Sequence, residues 1–343
     1  MDNTSAVLFC YSKAAGQLKK SFVGSRINLL FEQKSLSDLW TLIFNEPVPA
    51  IPEVLLAKEI EKKALSKFIS QYEFFIGQFD NPPLVLTTPL RRYEIENLKE
   101  ICDSLAAGEK DLPELIDLHG KSVLKTEFWP DIAAITDGTI YSWLNTTPKK
   151  EDKQKTNFKL DLQLVQTLWK SVQLCHGDNK LAHIKLFREE FVLKNVIWAL
   201  RLLLYYDMTR EEIIQNLFYV TEAPDASDPV AGPAIKVLDY DVENYSDWAK
   251  WDYARYLNPK IEGEVWRVNP AWIEKSCAMN IKNRAYAVFH QNPNEDVALV
   301  AWFKLKSFEV NCIRTAVESL RLNVSSQDAM AILGIDSEKR ENE

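Results

Sequence analysis

Few side chains in this sequence have the types and spacing that chemistry requires. His119-Gly120-Lys121-Ser122 ends like a phosphate-binding loop. That loop needs a glycine five residues ahead of the GK[ST] glycine, so that successive backbone N–H groups turn inward on the phosphates. Position 115 is Leu, and no nucleotide is expected there. Cys175, His176 and His183 offer thiolate and imidazole, the usual zinc ligands. A tetrahedral site needs further ligands close by, and none stands at recognisable spacing. GxSxG, HExxH and GxGxxG are also missing. The expectation is a protein with no cofactor and no catalysis of its own.

The polar side chain that recurs is an asparagine. RRYEIENLKEIC around Asn97, REEFVLKNVIWALR around Asn195 and KSFEVNCIRTAV around Asn311 each set one Asn inside a helical apolar stripe. A tryptophan-bearing segment precedes each: Trp40, Trp143 and Trp251 lie about 57, 52 and 60 residues earlier. Echoes at one interval mark an internally repeated architecture. An amide on an apolar face must find hydrogen bonds or bear the cost of desolvation. The favoured role is therefore a contact that fixes how helices or units meet. Direct partner contact and a surface Asn at the stripe's edge are the alternatives. Arg201, inside VIWALRLLLYY, raises the same question, with Glu189, Glu190 or a residue of another unit as its carboxylate partner.

The elements that would position these residues are helices. Only 10 glycines occur in 343 residues, and hydrophobic content is 46%. Ile51-Pro52-Glu53 opens a helix, because proline's missing N–H would have no partner in the first turn. Leu65, Phe68, Ile69, Tyr72 and Phe75 follow at helical spacing, with Glu59 and Lys63 placed for an i,i+4 pair. Leu90, Tyr93, Asn97, Leu98, Ile101 and Leu105 supply the matching stripe of an antiparallel hairpin after the Asn81-Pro82-Pro83 break. Residues 158–176 with 190–206, and 270–290 with 305–322, repeat the pattern. GQLKKSFVGSRINLLF is a fainter fourth relative that could pack on the last unit. Residues 146–157 read as an exposed loop, and 221–247 as a functional loop or an ordered connection. The fold class is all-α, with three repeats at 1–110, 111–222 and 223–343, the last including a short frayed tail.

Net charge is −8, without a basic stripe to meet a phosphate backbone, so nucleic acid is not an expected partner. No basic segment followed by an apolar run opens the chain, which predicts a cytoplasmic location. Five cysteines without CxxC spacing read as reduced, mostly buried thiols. Residues 191–206 are too short to span a bilayer and are interrupted by Lys194, Asn195 and Arg201.

The three helical copies, the N-terminal YSKAAGQLKK segment, the short helix ahead of each long one and EEFVLKNVIWALRLLLYYDM together resemble the C subunits of V-type and A-type rotary ATPases, whose eukaryotic form is the d subunit. The resemblance covers about Tyr11 to Leu333. It implies a funnel of three helical domains around a central hollow, peripheral on the cytoplasmic face of the membrane. It also implies a protein that is a monomer when isolated and present once per complex, set between the central axle subunits and the proteolipid ring. Such a part passes torque for proton or sodium transport. A free-standing helical scaffold that binds a protein or peptide is the rival reading.

Overall fold

The computed structural model describes residues 1–335, which contain helices and no strand. Helix α1 (Asn3–Leu18) is capped by Asp2, whose carboxylate accepts Ser5 N–H at 3.0 Å. After a turn come α2 (Asn28–Phe31) and α3 (Leu36–Phe44), the latter capped by Ser35 and stopped by Asn45 in the left-handed region. Helix α4 (Glu53–Ile76) starts behind Pro52. Then follow α5 (Leu84–Thr87), α6 (Arg91–Ala107), ended by Gly108 at φ 75°, and α7 (Ile132–Thr136). Two long helices, α8 (Lys153–Gln173) and α9 (Gly177–Tyr205), make a hairpin. Three short ones, α10 (Arg210–Gln215), α11 (Gly232–Val237) and α12 (Tyr245–Trp248), lead to a second hairpin of α13 (Pro270–Gln291) and α14 (Val297–Leu322). Helix α15 (Ser326–Ile332) follows.

The apolar run 191–206 is interior to α9, and among the described residues no helix is long and apolar enough to cross a membrane. All five cysteines are free, and all but Cys175 are buried. Residues 146–157 are not all loop: a turn at Lys150–Asp152 leads into α8 at Lys153. The fourth helical relative is also not one helix. Its helix stops at Leu18, and the rest is a turn and α2, although α1 and α2 both lie on α14.

The expected pairing of the α4 and α6 stripes is replaced by a longer-range one. Helix α4 packs chiefly on α14, and α6 on α8. The cause is aromatic area. Trp302 and Phe303 of α14 meet Phe68, Tyr72 and Phe75 of α4 with ring centroids 4.7–6.1 Å apart. Such pairs contribute about 0.5–1.5 kcal/mol each beyond burial. Meanwhile α5 and the turn through Pro89 hold α6 away from a tight hairpin, leaving Phe68 and Tyr93 in edge contact at 6.3 Å. Lys63 likewise pairs with Glu46 rather than with Glu59.

Among the described residues, apolar side chains form four clusters. The central one joins α1, the second half of α4, α5, the ends of α8 and α13, and the starts of α9 and α14. One outer cluster holds residues 22–64 with the second half of α14, one holds residues 95–160, and one runs from Val192 to Cys277. Each outer cluster thus combines the far part of an Asn-bearing helix, a stretch of short helices and the near part of a long helix.

Candidate functional site

Asn97 and Asn195 carry out the same act. Asn97, on α6 and 5% exposed, donates through Nδ2 to Ile116 O at 2.8 Å and accepts Ile116 N–H at 2.7 Å. Asn195, on α9 and fully buried, donates to Phe218 O at 2.7 Å and accepts Phe218 N–H at 2.9 Å, with a second donation to Val230 O at 3.2 Å. A planar amide carries a donor and an acceptor side by side, matching the N–H and C=O of one residue in an extended segment. Each clamp therefore ties the connection after a helix to that helix.

Asn311 does not repeat this. It is exposed on α14, and the buried polar group nearby is Glu309, which accepts Phe22 N–H at 2.7 Å and pairs with Lys306. The partner segment comes from the other end of the chain. Buried carboxylates recur on the other two helices. Glu94 accepts Val123 N–H at 2.8 Å and faces Tyr141 Oη at 3.3 Å. Glu189 accepts Tyr256 O–H at 2.7 Å and meets Arg255 and Arg284. The signal for these glutamates is their place within largely apolar helical faces close to each Asn.

The tryptophans are not brought together. Trp40 is buried on α3 against Phe44 at 4.7 Å, with Lys63 over its ring. Trp143 stands in a turn after α7, its Nε1 donating to Gln163 at 2.9 Å. Trp251 is buried in a bend after α12, edge-on to Trp248 at 5.7 Å. Arg201 binds Glu274 of α13 at 2.6 Å and is only half-buried. Glu189 and Glu190 are engaged elsewhere, Glu190 by Lys194 and Lys304. Residues 221–231 are ordered around Asp228, whose two oxygens accept from Val220 N, Thr221 N, Thr221 Oγ1, Val230 N and Ala231 N at 2.7–2.9 Å. Gly232 is required beside it, since a Cβ there would lie 2.4 Å from Ala226 O.

Three interhelical turns meet at one cavity of about 680 Å³: Pro83–Val85, Leu174–Asn179 and Glu295–Asp296. Asn179 donates to Asp296 at 2.8 Å, joining α9 to the α13–α14 turn. Behind them His183 is fully buried, donating Nδ1–H to Asn179 O at 2.9 Å, with Nε2 3.6 Å from Asp296 Oδ1. Burial pushes the His183 pKa down, against the opposing pull of Asp296. Leu84 and Leu174 are exposed at the rim, and Asp178, Glu295 and Asp296 make the lining acidic. This is a geometry that holds the turns together.

The HGKS sequence lies at a turn with His119 and Gly120 at positive φ, where His119 contacts Ser70 at 2.7 Å. Among the described residues no group of three or more His, Cys, Asp or Glu is placed to hold a metal.

An uncharacterized protein of Treponema pallidum (strain Nichols) is 26% identical over 319 residues, 92% of each chain. The family model described as ATP synthase (C/AC39) subunit matches residues 22–228, more than half of the sequence. The matched region runs from the turn before α2, through both asparagine clamps, to Asp228, and the chain belongs to this family, the AC39-type C/d subunits of the V-type and A-type rotary ATPases.

Proposed function

We propose that this protein is the central-stalk adaptor between the axle subunits and the proteolipid ring of a rotary ATPase, transmitting torque for proton or sodium movement from the cytoplasmic face of the membrane. The observation that carries the reading is the family match over residues 22–228; members of that family are non-catalytic parts of these complexes. Three helical units, divided near residues 110 and 222 and arranged as a funnel about a hollow, complete the proposal. Its physical support is stiffness. A torque-bearing part must resist twist, and close-packed helices deform little because protein interiors are as dense as organic crystals. The central cluster joins helices from all along the chain, and Arg201–Glu274, Glu189–Arg284 and Glu190–Lys304 tie α9 to α13 and α14.

The test is to purify a tagged copy from native membranes in mild detergent. Recovery with axle and proteolipid subunits, at one copy per complex, is the expected result. Recovery of the folded protein with neither would overturn the adaptor role and favour a free-standing helical scaffold.

A further inference from the structure

Helical serine and threonine hydroxyls in this chain commonly donate back to the carbonyl four residues earlier, as Ser12 does to Leu8, Thr41 to Ser37 and Thr167 to Gln163. Ser70, exposed in the middle of α4, turns instead to His119, its Oγ 2.7 Å from Nε2. The turn that carries His119 fixes the ring. Asp117 accepts the His119 backbone N–H through Oδ1 at 2.7 Å, and its Oδ2 stands 3.0 Å from Nδ1. A carboxylate in that place draws the ring proton to Nδ1, so Nε2 keeps its lone pair for the Ser70 O–H. His119 and Gly120 both lie at positive φ, and Lys121 N–H closes the turn on Leu118 O at 2.7 Å. Glu73, one helical turn beyond Ser70 and 9% exposed, brings Oε2 to 3.9 Å from Nε2. Two carboxylates thus flank the ring, and both favour the imidazolium that forms when Nε2 takes a proton. Nucleophile, base and orienting acid stand in the order of a serine triad, with the hydroxyl and the imidazole open to solvent. They lie outside the cavity at the three interhelical turns, so the fitting reagent is small and already activated.

We propose that Ser70 is an activated nucleophile that takes the acyl group of small activated esters. Ser70 Oγ attacks the carbonyl carbon and gives its proton to His119 Nε2. The carbonyl carbon's bond to the leaving oxygen breaks, that oxygen takes the proton from Nε2, and an acyl ester remains on Ser70. Asp117 is a positioning residue. The site is separate from the adaptor role and does not depend on it.

The test treats the full chain with p-nitrophenyl acetate and reads acetylation of the tryptic peptide Phe68–Arg91, which holds Ser70 and no lysine. The expected product is one acetyl group, removable by hydroxylamine as an ester is. Ser70→Ala should abolish it. His119→Asn, a residue that tolerates positive φ, should slow it at least a hundredfold. Asp117→Asn should slow it at least tenfold, and Asp117→Glu should recover most of that loss. All the variants should keep the helical circular dichroism of the parent. A parent peptide without acetyl, acetylation that persists in Ser70→Ala, equal rates in the parent and His119→Asn, or an equal rate in the urea-unfolded parent would overturn the proposal. Equal rates in the parent and Asp117→Asn would overturn the positioning role of Asp117.

Discussion

Asn195 holds Phe218 at both ends of its peptide framework, donating to the carbonyl at 2.7 Å and accepting the N–H at 2.9 Å. Because the amide is fully buried, nothing in solvent can replace it. Each backbone group left unpaired in such a place costs about 1–3 kcal/mol.

Replacing the three repeated asparagines should therefore give a graded series. Asn195→Leu strands Phe218 N–H, Phe218 C=O and part of Val230 C=O, and should lose roughly 4 kcal/mol. Asn97→Leu strands the two groups of Ile116 in a partly buried setting and should lose roughly 2–3 kcal/mol. Asn311→Leu, on the surface, should change stability by less than about 0.5 kcal/mol. Urea unfolding midpoints check the order. Equal losses at all three positions would refute the distinction between clamp and surface residue.

Why the third Asn departs from the other two is a matter of helical phase. Tyr93 and Phe191 precede their Asn by four residues, and Phe308 precedes Asn311 by three. One residue turns a helix by about 100°, so this slip carries Asn311 away from the face that holds Glu309, Cys312 and Ile313. The long helices are legible in the sequence, because their apolar spacing and the prolines at 52 and 270 are local signals, although α9 starts at Gly177 rather than near 190 and α14 at Val297 rather than near 305. The packing of α4 on α14 is not, since Trp302 and Phe303 lie more than two hundred residues from Phe68 and nothing local says which apolar faces will meet. Glu94, Glu189 and Glu309 are hard to single out for a similar reason. Their partners are backbone and side-chain groups brought by distant turns.

Asp228 should be as sensitive as any core residue, although it lies in a stretch rich in proline and glycine. Five hydrogen bonds converge on its carboxylate at 1% exposure. Asp228→Ala should lose about 3 kcal/mol or more and release amide protons of residues 220–231 to exchange with deuterium before the rest of the molecule. Protection unchanged in that segment would show that the loop is held by something else.

The Glu190–Lys304 pair should behave as a coupled unit. Burial alone would raise the Glu190 pKa, but Lys194 and Lys304 outweigh it and hold the carboxyl well below its usual range. Removing one partner of a buried pair costs about 3–5 kcal/mol, and Lys304→Met should fall near the lower bound because Lys194 remains. Glu190→Leu combined with Lys304→Met should cost less than the two single changes together. The sign with pH follows from the depressed folded-state pKa. The contribution is present above the unfolded value near 4.3 and is lost as pH falls toward the folded value. In Lys304→Met, where only Lys194 is left to lower the carboxyl, the loss should begin at the same unfolded value but be smaller and be complete at a higher pH than in the parent. An additive double mutant cycle would deny the coupling.

His183 links titration to the meeting of the turns. Its neutral ring donates Nδ1–H to Asn179 O, and burial keeps its pKa below the ordinary value near 6.5. For a base whose folded pKa is lowered, the unfolded chain binds the proton first. Stability is then full above about pH 6.5 and declines as pH falls through that value toward the folded pKa, at up to about 1.4 kcal/mol per pH unit. Asp296, 3.6 Å away, is the group that would meet the proton on Nε2, and it lines the cavity shared by the three turns together with Asn179, which donates to it. Urea unfolding of the parent between pH 8 and pH 5 should show this decline. His183→Gln, which cannot titrate, should be less stable at pH 8 but nearly flat over the interval. If the parent and His183→Gln change in parallel with pH, the titrating group in that range is another one, and His183 serves only to fill the space behind Asn179.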